Sequence, residues 1–299
     1  MSTERKLRKR LIVTADDFGA SIPINEAVEL GHRNGILTSA SLMIAGRAAD
    51  DAVARARRLP RLGVGLHVTL VDGHPVLPAR EISELVGADG RFLSTALPVV
   101  LRLAVSPRAR RQAAAEIRAQ LEAFRRTGLP LDHVDGHHHL HLHPTIQRIL
   151  VRLAREYGIR FVRVPSEPFA TARRAMADRW ALRLASAMFL HGRTEAMRRR
   201  LRRGGIASND QVLGLIDSGH MRPERLKAFL RALPDGVSEL YLHPATRRAG
   251  PLDTLPSEYE PEAEYAALID RTVRDALVES GAELTTFGEL AAAGEGMPP

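Results

Sequence analysis

The chain has no cysteine among its 299 residues. Disulfides, thiolate metal ligands and a cysteine nucleophile are therefore excluded, and any metal site must use His, Asp or Glu. The sequence also lacks an apolar run approaching the about 20 residues of a membrane span. No hydrophobic stretch of signal-peptide length follows its basic start. These absences together predict a cytoplasmic protein.

Aromatic residues are scarce, at 4% of the chain, although the net charge is +8. Ten arginines between 173 and 203, set against Asp178 and Glu195, account for this whole excess. A surface that binds nucleic acid usually spreads its basic residues over a reading face and adds aromatic side chains for stacking. We therefore expect no nucleic-acid partner.

Short β-rich runs alternate with helical patterns, which indicates parallel strand pairing. The first strand is not followed by a Gly-rich phosphate loop, so a distorted (β/α) TIM-like barrel of about seven parallel strands is favoured over an open doubly wound sheet. We expect one domain over 1–299 and a disordered tail after Ala293. Strands are predicted at 11–15, 38–44, 63–70, 131–135, 160–164, 238–242 and 283–287, and helices at 24–33, 47–58, 107–126, 145–157, 222–232 and 259–280.

Polar residues with catalytic potential fall at the carboxyl ends of the predicted strands. Asp16 and Asp17 follow the first strand, His67 lies late in the third, and His137 and His243 follow two later strands. In a barrel, these strand ends form the active face, so that residues far apart in sequence converge in one pocket.

Six of the 12 histidines lie between 133 and 143. If the preceding strand continued, His137, His139, His141 and His143 would share one face and His138 the other, so not all of them could reach one metal. A lone histidine is more often structural, but a cluster beside a paired-acid turn favours a metal site. His74 and His220 are interpreted as surface residues.

Two imidazoles and one carboxylate suit zinc or another divalent cation with open positions for water and substrate, which favours hydrolysis. Adjacent acids such as Asp16 and Asp17 also commonly cap helices, so the pair alone is a weak signal. We expect Asp16 to act as the general base and His243 as the acid, although the two roles could be exchanged.

The same residues lie in motifs that resemble the YdjC/ChbG family of carbohydrate deacetylases. The matching stretches are TADDFG at 14–19, NGILTSASLMI at 34–44, GLH at 65–67, DHVDGHHHLHLHP at 132–144, RVPSE at 163–167 and LHP at 242–244. A departure follows His243, where the HPG typical of the family reads HPA.

The resemblance implies a distorted barrel that removes N-acetyl groups from amino sugars. It places one divalent metal ion on Asp17, His67 and His137. Zinc or magnesium is the expected ion, with nickel and cobalt as alternatives. The residues expected to support the site or the substrate are Asp135, His141, Arg163 and Glu167.

Two stretches, VGLHVTLVDGHPVLP and TGLPLDHVDGHHHLHLHP, look like the hopanoid biosynthesis-associated branch of that family, called HpnK. This likeness implies that the substrate is an N-acetylglucosaminyl hopanoid. Such an enzyme would make peripheral contact with the inner face of the membrane.

The basic segment 170–205 is interpreted as an amphipathic helical insertion in the barrel. Its arginines interleave with apolar residues, which suggests membrane docking or a cover over the lipid tail. The alternative is a solvated helical hairpin that packs on the barrel. The residues expected to meet the membrane are Trp180, Arg198, Arg199, Arg200, Arg202 and Arg203.

Other functions share parts of this pattern. A deacetylase of chitobiose-like or other soluble sugars would need the same residues. A metal-dependent sugar aldolase or isomerase would usually add a strand-end lysine or a phosphate-binding loop, and the sequence offers neither. A non-catalytic metal or lipid carrier would leave the acid pair and His243 without a role. The sequence predicts no oligomeric state.

Overall fold

The computed structural model describes residues 9–248 and 255–294. The basic start and most of the tail after Ala293 lie outside these ranges. All strand pairings between the named strands are parallel. The strands are β1 (Lys9–Phe18), β2 (Ser39–Leu42), β3 (Gly63–Val68), β4 (Val134–Gly136), β5 (Gln211–Leu213), β6 (Gly236–Leu242) and β7 (Glu283–Leu284).

The strands form a sheet in the order β4-β3-β2-β1-β6-β5, and β7 pairs with the start of β1. Segment 160–166 lies between the two ends of this sheet. Its Arg163 N–H donates to Val134 at the β4 end, and Ser166 accepts from Val212 in β5. The expected distorted (β/α) TIM-like barrel of about seven parallel strands is therefore confirmed.

The predicted strand at 160–164 is reduced to single bridges at Phe161 and Val162. Part of its pairing is made by a side chain, because Asn209 both donates to and accepts from the backbone of Val164. Strand β5, which the sequence did not predict, begins two residues after Asn209. Three residues are too few for an alternating pattern to stand out in a sequence.

Helices surround the barrel and cover its outer face. They are α1 (Ile22–Asn34), α2 (Ala49–Ala56), α3 (Ala96–Val105), α4 (Pro107–Arg126), α5 (Pro144–Tyr157), α6 (Phe169–Ala175), α7 (Trp180–Arg203), α8 (Pro223–Arg231), α9 (Pro261–Ile269), α10 (Arg271–Ser280) and α11 (Phe287–Ala292). The predicted helix at 259–280 is two helices. Asp270 ends α9 and caps α10, since its carboxylate accepts from the backbone N–H groups of Thr272 and Val273.

The main apolar core lies between the barrel strands and the helices. Strand β1 is buried from Leu11 to Phe18. A buried central strand of this kind fixes the position of whatever follows it, because its backbone is held on both sides. None of the helices in the described ranges combines the length and the apolar composition that a membrane span requires.

Candidate metal-dependent active site

Two adjacent acids, Asp16 and Asp17, lie in a bulge near the end of β1. The pairing with β2 runs regularly to Ala15 and resumes at Phe18. Asp17 has a φ of 61°, a left-handed conformation that aspartate tolerates better than most residues. The bulge turns the two carboxylates in different directions, so that they can serve different partners.

His67 is placed by the register between β3 and β4, which sets it beside Asp135. Its Nδ1 lies 2.8 Å from Asp135 Oδ1, and Asp135 Oδ2 accepts from Ser41 at 2.9 Å. A carboxylate on one ring nitrogen leaves the other free for a metal, as is common for ligating histidines. Burial opposes a charge on this imidazole, but Asp135 outweighs it and raises the pKa of His67 to about 9.

The strand before the histidine cluster does not continue through it. Strand β4 ends at Gly136, and a 3₁₀ turn covers His137–Leu142. His138 and His139 both have a φ of 52°, so the chain reverses there and the imidazoles point in several directions. The expectation of shared faces for a continued strand is therefore wrong.

Each histidine of this turn has different surroundings. His137 faces Asp17, and His138 is exposed. His141 lies 3.0 Å from the carbonyl oxygen of Arg163, and its burial lowers the pKa of that imidazole to about 4. His143 accepts a hydrogen bond from the N–H of Thr145 and thereby caps α5.

Asp17, His67 and His137 converge at the end of the barrel. Asp17 Oδ1 lies 3.0 Å from His137 Nδ1 and 3.4 Å from His67 Nε2. Burial opposes the charge of Asp17, but His137, His243 and His67 outweigh it and hold the pKa of Asp17 well below its usual range.

These three residues fit a divalent metal ion. All three are buried, with ligand atoms within 4.8 Å of one another. Within the described part of the chain, Asp17 Oδ1 and His137 Nε2 are buried without a hydrogen-bond partner. Buried polar atoms that lack a protein partner are rare unless a ligand or an ion satisfies them.

Arg163 lies beneath this site and is completely buried. Its guanidinium forms two 2.8 Å hydrogen bonds to Asp16, which engage both carboxylate oxygens. It also lies 2.6 Å from Asp135 and 2.6 Å from Glu239. Burial alone would raise the pKa of Asp135, but Arg163 and His67 keep it well below its ordinary value. Arg163 therefore orients Asp16, which is next to the candidate ligand Asp17, and Asp135, which holds the candidate ligand His67.

His243 follows β6 and lies level with the acid pair, because Ala15 pairs with Leu242. Its ring packs between Tyr241 and Tyr259, at centroid distances of 5.6 and 5.1 Å. Its backbone N–H donates to Glu264. Burial lowers the pKa of His243, although the nearby carboxylates oppose this.

A cavity of about 250 Å³ opens over the three candidate ligands. It is smaller than the roughly 300 Å³ of the smallest typical ligand pockets, so it suits one sugar ring better than an extended ligand. His74 and His220 do not line it. Its walls are Asp16, Asp17, His67, Gly136, His137, His138, His139, Leu215, Ser218, Tyr241, His243, Pro256 and Tyr259.

A second cavity of about 660 Å³ adjoins the first and shares His138, His139 and Leu215 with it. We call it the apolar groove. Its walls come from α3, the 3₁₀ turn, the start of α5 and α7. The apolar residues among them are Ala96, Val100, Leu140, Leu142, Pro144, Pro165, Phe189, Leu190, Ala196, Leu215 and Ile216.

Glu167 supports the wall between the two cavities. Its Oε1 accepts from the N–H groups of Gly214 and Leu215, at 2.6 and 3.2 Å. Burial raises the pKa of this carboxyl to about 7. Nearby, Arg183 of α7 is buried in a bidentate ion pair with Asp217, at 2.8 and 3.0 Å.

The arginines expected to meet a membrane have different surroundings. Arg198 hydrogen-bonds to Glu195 and Arg200 to Gln147, so both also make contacts within the protein. The remaining members of that set, Trp180, Arg199, Arg202 and Arg203, are exposed.

Sequence reasoning missed Ser41, Glu239, Tyr241, Tyr259 and Glu264. Glu239 had a usable signal, since it is a charged residue within an otherwise apolar strand. A buried strand carboxylate implies a buried cation, and the conspicuous candidate is Arg163 in the matching RVPSE stretch. The other residues lack a distinguishing pattern.

Comparison with known proteins gives matches over most of the chain. Residues 10–279 match the model of the YdjC family, described as YdjC-like protein. A carbohydrate deacetylase of Mus musculus is 33% identical, over 97% of this chain and 98% of the relative. One of Brevibacillus brevis is 40% identical, over 50% of this chain and 57% of the relative.

A crystal structure from Enterococcus faecalis, of a protein described as a candidate for cellobiose-phosphate cleavage, has a similar fold. Its TM-score is 0.69 at 22% identity, over 95% of this chain and 99% of that one. At this identity, the likeness concerns the fold alone.

Proposed function

Because this chain belongs to the YdjC-like family, we propose that it is a metal-dependent carbohydrate deacetylase acting on an N-acetylated amino sugar. The convergence of Asp17, His67 and His137 under a sugar-sized cavity carries this proposal. The domain is proposed to span 1–299, with segment 170–205 as an insertion that forms α6 and α7.

A divalent ion held by Asp17, His67 and His137 would polarise the acetyl oxygen and activate a water molecule. Two imidazoles and a carboxylate suit zinc, nickel and cobalt, while magnesium would depend mainly on the carboxylate and on water. The second ring nitrogen of His67 is tied to Asp135, which fixes the direction in which this ligand points.

Asp16 is proposed as the general base. It lines the cavity beside the candidate ligands, and both of its oxygens are paired with Arg163. This pairing fixes the orientation of the carboxylate beside the candidate ligands. Asp16 would take a proton from water as the water oxygen attacks the acetyl carbon.

His243 is proposed as the general acid. It lines the same cavity from the opposite strand of the β1–β6 pair. Burial lowers its pKa, so the imidazolium gives up its proton readily. That proton would go to the sugar nitrogen as the C–N bond breaks, which releases acetate and a free amine. The reverse assignment would require a proton on a carboxyl whose two oxygens both accept from Arg163.

The substrate is proposed to be an N-acetylglucosaminyl hopanoid. The apolar groove supports this, since it adjoins the cavity, shares three wall residues with it and has room for a large ring system. A soluble chitobiose-like substrate would leave this groove without an occupant. An aldolase or isomerase is less well supported, because no lysine lines the cavity in the described ranges.

Segment 170–205 is proposed to contact the membrane surface through Trp180 and its exposed arginines. Each basic group near anionic lipid could contribute on the order of 1 kcal/mol. Flotation with liposomes tests this when Arg199, Arg202 and Arg203 are replaced by Gln. Unchanged flotation would contradict this role.

Acetate release tests the function itself. The metal-loaded protein is incubated with the N-acetylglucosaminyl hopanoid and, separately, with diacetylchitobiose. Asp16→Asn should lower kcat by about 10²- to 10⁴-fold while the bound metal, measured by elemental analysis, stays unchanged. The exposed Asp275→Asn serves as the matched control and should behave as the wild type.

Release from neither substrate would overturn the deacetylase proposal. Release from diacetylchitobiose alone would overturn the proposal of a lipid-linked substrate but would support the proposed deacetylation. Asp16→Asn with full turnover would show that another group is the base.

A further inference from the structure

Helix α3 has one charged residue, Arg102, among nine apolar ones, which is unusual for a helix on a protein surface. Val99 and Leu103 face the core and are fully buried, while Ala96 and Val100 line the apolar groove. A helix that is almost entirely apolar normally has apolar surroundings on more than its core side.

The side of α3 opposite the core is exposed. Leu97 is 67% exposed, Leu101 55% and Val105 76%. These residues are spaced four apart, so they form one stripe along the helix. On α7, which contributes another wall of the groove, Met188 and Phe189 are 71% and 63% exposed. A stripe of large exposed apolar side chains, such as the one on α3, usually marks an interaction site.

The charge of the chain segment that contains α3 indicates the kind of partner. Between Asp89 and Glu116 the chain has no acidic residue, and it has five arginines, at 91, 102, 108, 110 and 111. Arg108 and Arg111, just beyond the end of the stripe, are exposed. Apolar side chains bordered by arginine suit an anionic bilayer, into which the former insert while the latter remain among the headgroups. The same arginines would repel one another across a symmetric interface between two copies.

We propose that the outward stripe of α3, Leu97, Leu101 and Val105, inserts into the surface of an anionic lipid bilayer. This contact would bring the apolar groove to the membrane. The inference rests on the proposed lipid-linked substrate for its purpose, but the contact itself is independent of catalysis and involves different residues from the arginine cluster of α7.

Vesicle flotation tests the proposal directly. The full chain is mixed with vesicles of phosphatidylcholine and phosphatidylglycerol, and the triple variant Leu97→Ser, Leu101→Ser, Val105→Ser is compared with it. The partition coefficient of the variant should fall roughly ten-fold or more, because three side chains no longer bury apolar surface. Val278→Ser is the matched control, since Val278 is 77% exposed on α10 and should not affect partition.

Two further measurements, acetate release and light scattering, separate the outcomes of the flotation assay. If the wild type releases acetate from diacetylchitobiose, the triple variant should release it at the same rate. A wild type that releases acetate from neither of the two substrates would count against the proposed function alone. Binding that persists unchanged in the triple variant would overturn the inference. A wild type that is dimeric by light scattering, with a monomeric triple variant and no flotation of either, would assign the stripe to self-association and also overturn it.

Discussion

Replacing Arg163 with Met is expected to destabilise the protein severely. The guanidinium is fully buried and contacts Asp16, Asp135 and Glu239 at 2.6 to 2.8 Å. Methionine is shorter and has no charge, so three carboxylates would remain together in the barrel without their cation. Breaking a buried ion pair by removing one partner typically costs about 3 to 5 kcal/mol.

Protonation limits this cost. Burial already raises the pKa of Glu239, which would take up a proton first once Arg163 is absent. We therefore expect a loss of about 4 kcal/mol, a large share of the roughly 5 to 15 kcal/mol by which domains are usually stable. For a chain of this size, the melting temperature should fall by about 10 °C.

Thermal unfolding followed by circular dichroism measures the effect. Arg125→Met is the matched control, because Arg125 makes an exposed ion pair with Glu122 at 2.7 Å, and such pairs contribute about 1 kcal/mol or less. Arg163→Lys should fall between wild type and Met, since an ammonium keeps the charge but cannot make the same paired contacts. An Arg163→Met variant that melts within about 2 °C of the wild type would refute the reasoning, given the size expected for a buried pair.

Three other results are expected. Asp135→Asn should weaken zinc binding by about 10- to 100-fold in a competition titration, because the imidazole it orients loses its carboxylate, and unchanged affinity would contradict this. Burial raises the pKa of Glu264 from 4.5 to about 7, so stability should be greatest below the ordinary pKa and fall until pH passes 7. Glu264→Gln has no carboxyl to titrate and should lack this fall. In urea unfolding, its free energy of unfolding relative to the wild type should therefore improve by roughly 3 kcal/mol from pH 5 to pH 8. The same difference between the two proteins at both pH values would refute this. Gly219→Ala should raise KM for the sugar, because its φ of +80° is unfavourable and a Cβ there would lie 2.2 Å from the Tyr259 ring. Gly205→Ala, with a φ of +70° and open space around it, is the control that has the strain alone.

Much of the site could be read from the sequence, because strand ends meet in any parallel barrel. Asp17, His67 and His243 each follow or end an apolar strand, and the structure brings them to one cavity. Helix α4 matches its predicted bounds, since Pro107 begins it and a regular apolar face defines its length.

The remaining features depend on contacts that no local pattern contains. Asp270 interrupts a continuous helical pattern only because its carboxylate caps the next helix. The reversal at His138 and His139 replaces a continued strand with a turn. Helix α3 was missed because nine of its ten residues are apolar, and the periodicity of polar and apolar residues on which a helix prediction relies is then weak.

The 3₁₀ turn at 137–142 has a consequence for how substrate length could affect turnover. Within six residues, this turn contains the candidate metal ligand His137 and two residues, His138 and His139, that line both the cavity and the groove. It also contains His141, which is anchored to the barrel through Arg163. A rigid group that fills the groove would therefore contact the same short segment that positions the candidate metal ligand His137. Occupancy of the groove would then tune the geometry of the reacting end, and a substrate lacking its apolar part would lose rate as well as affinity.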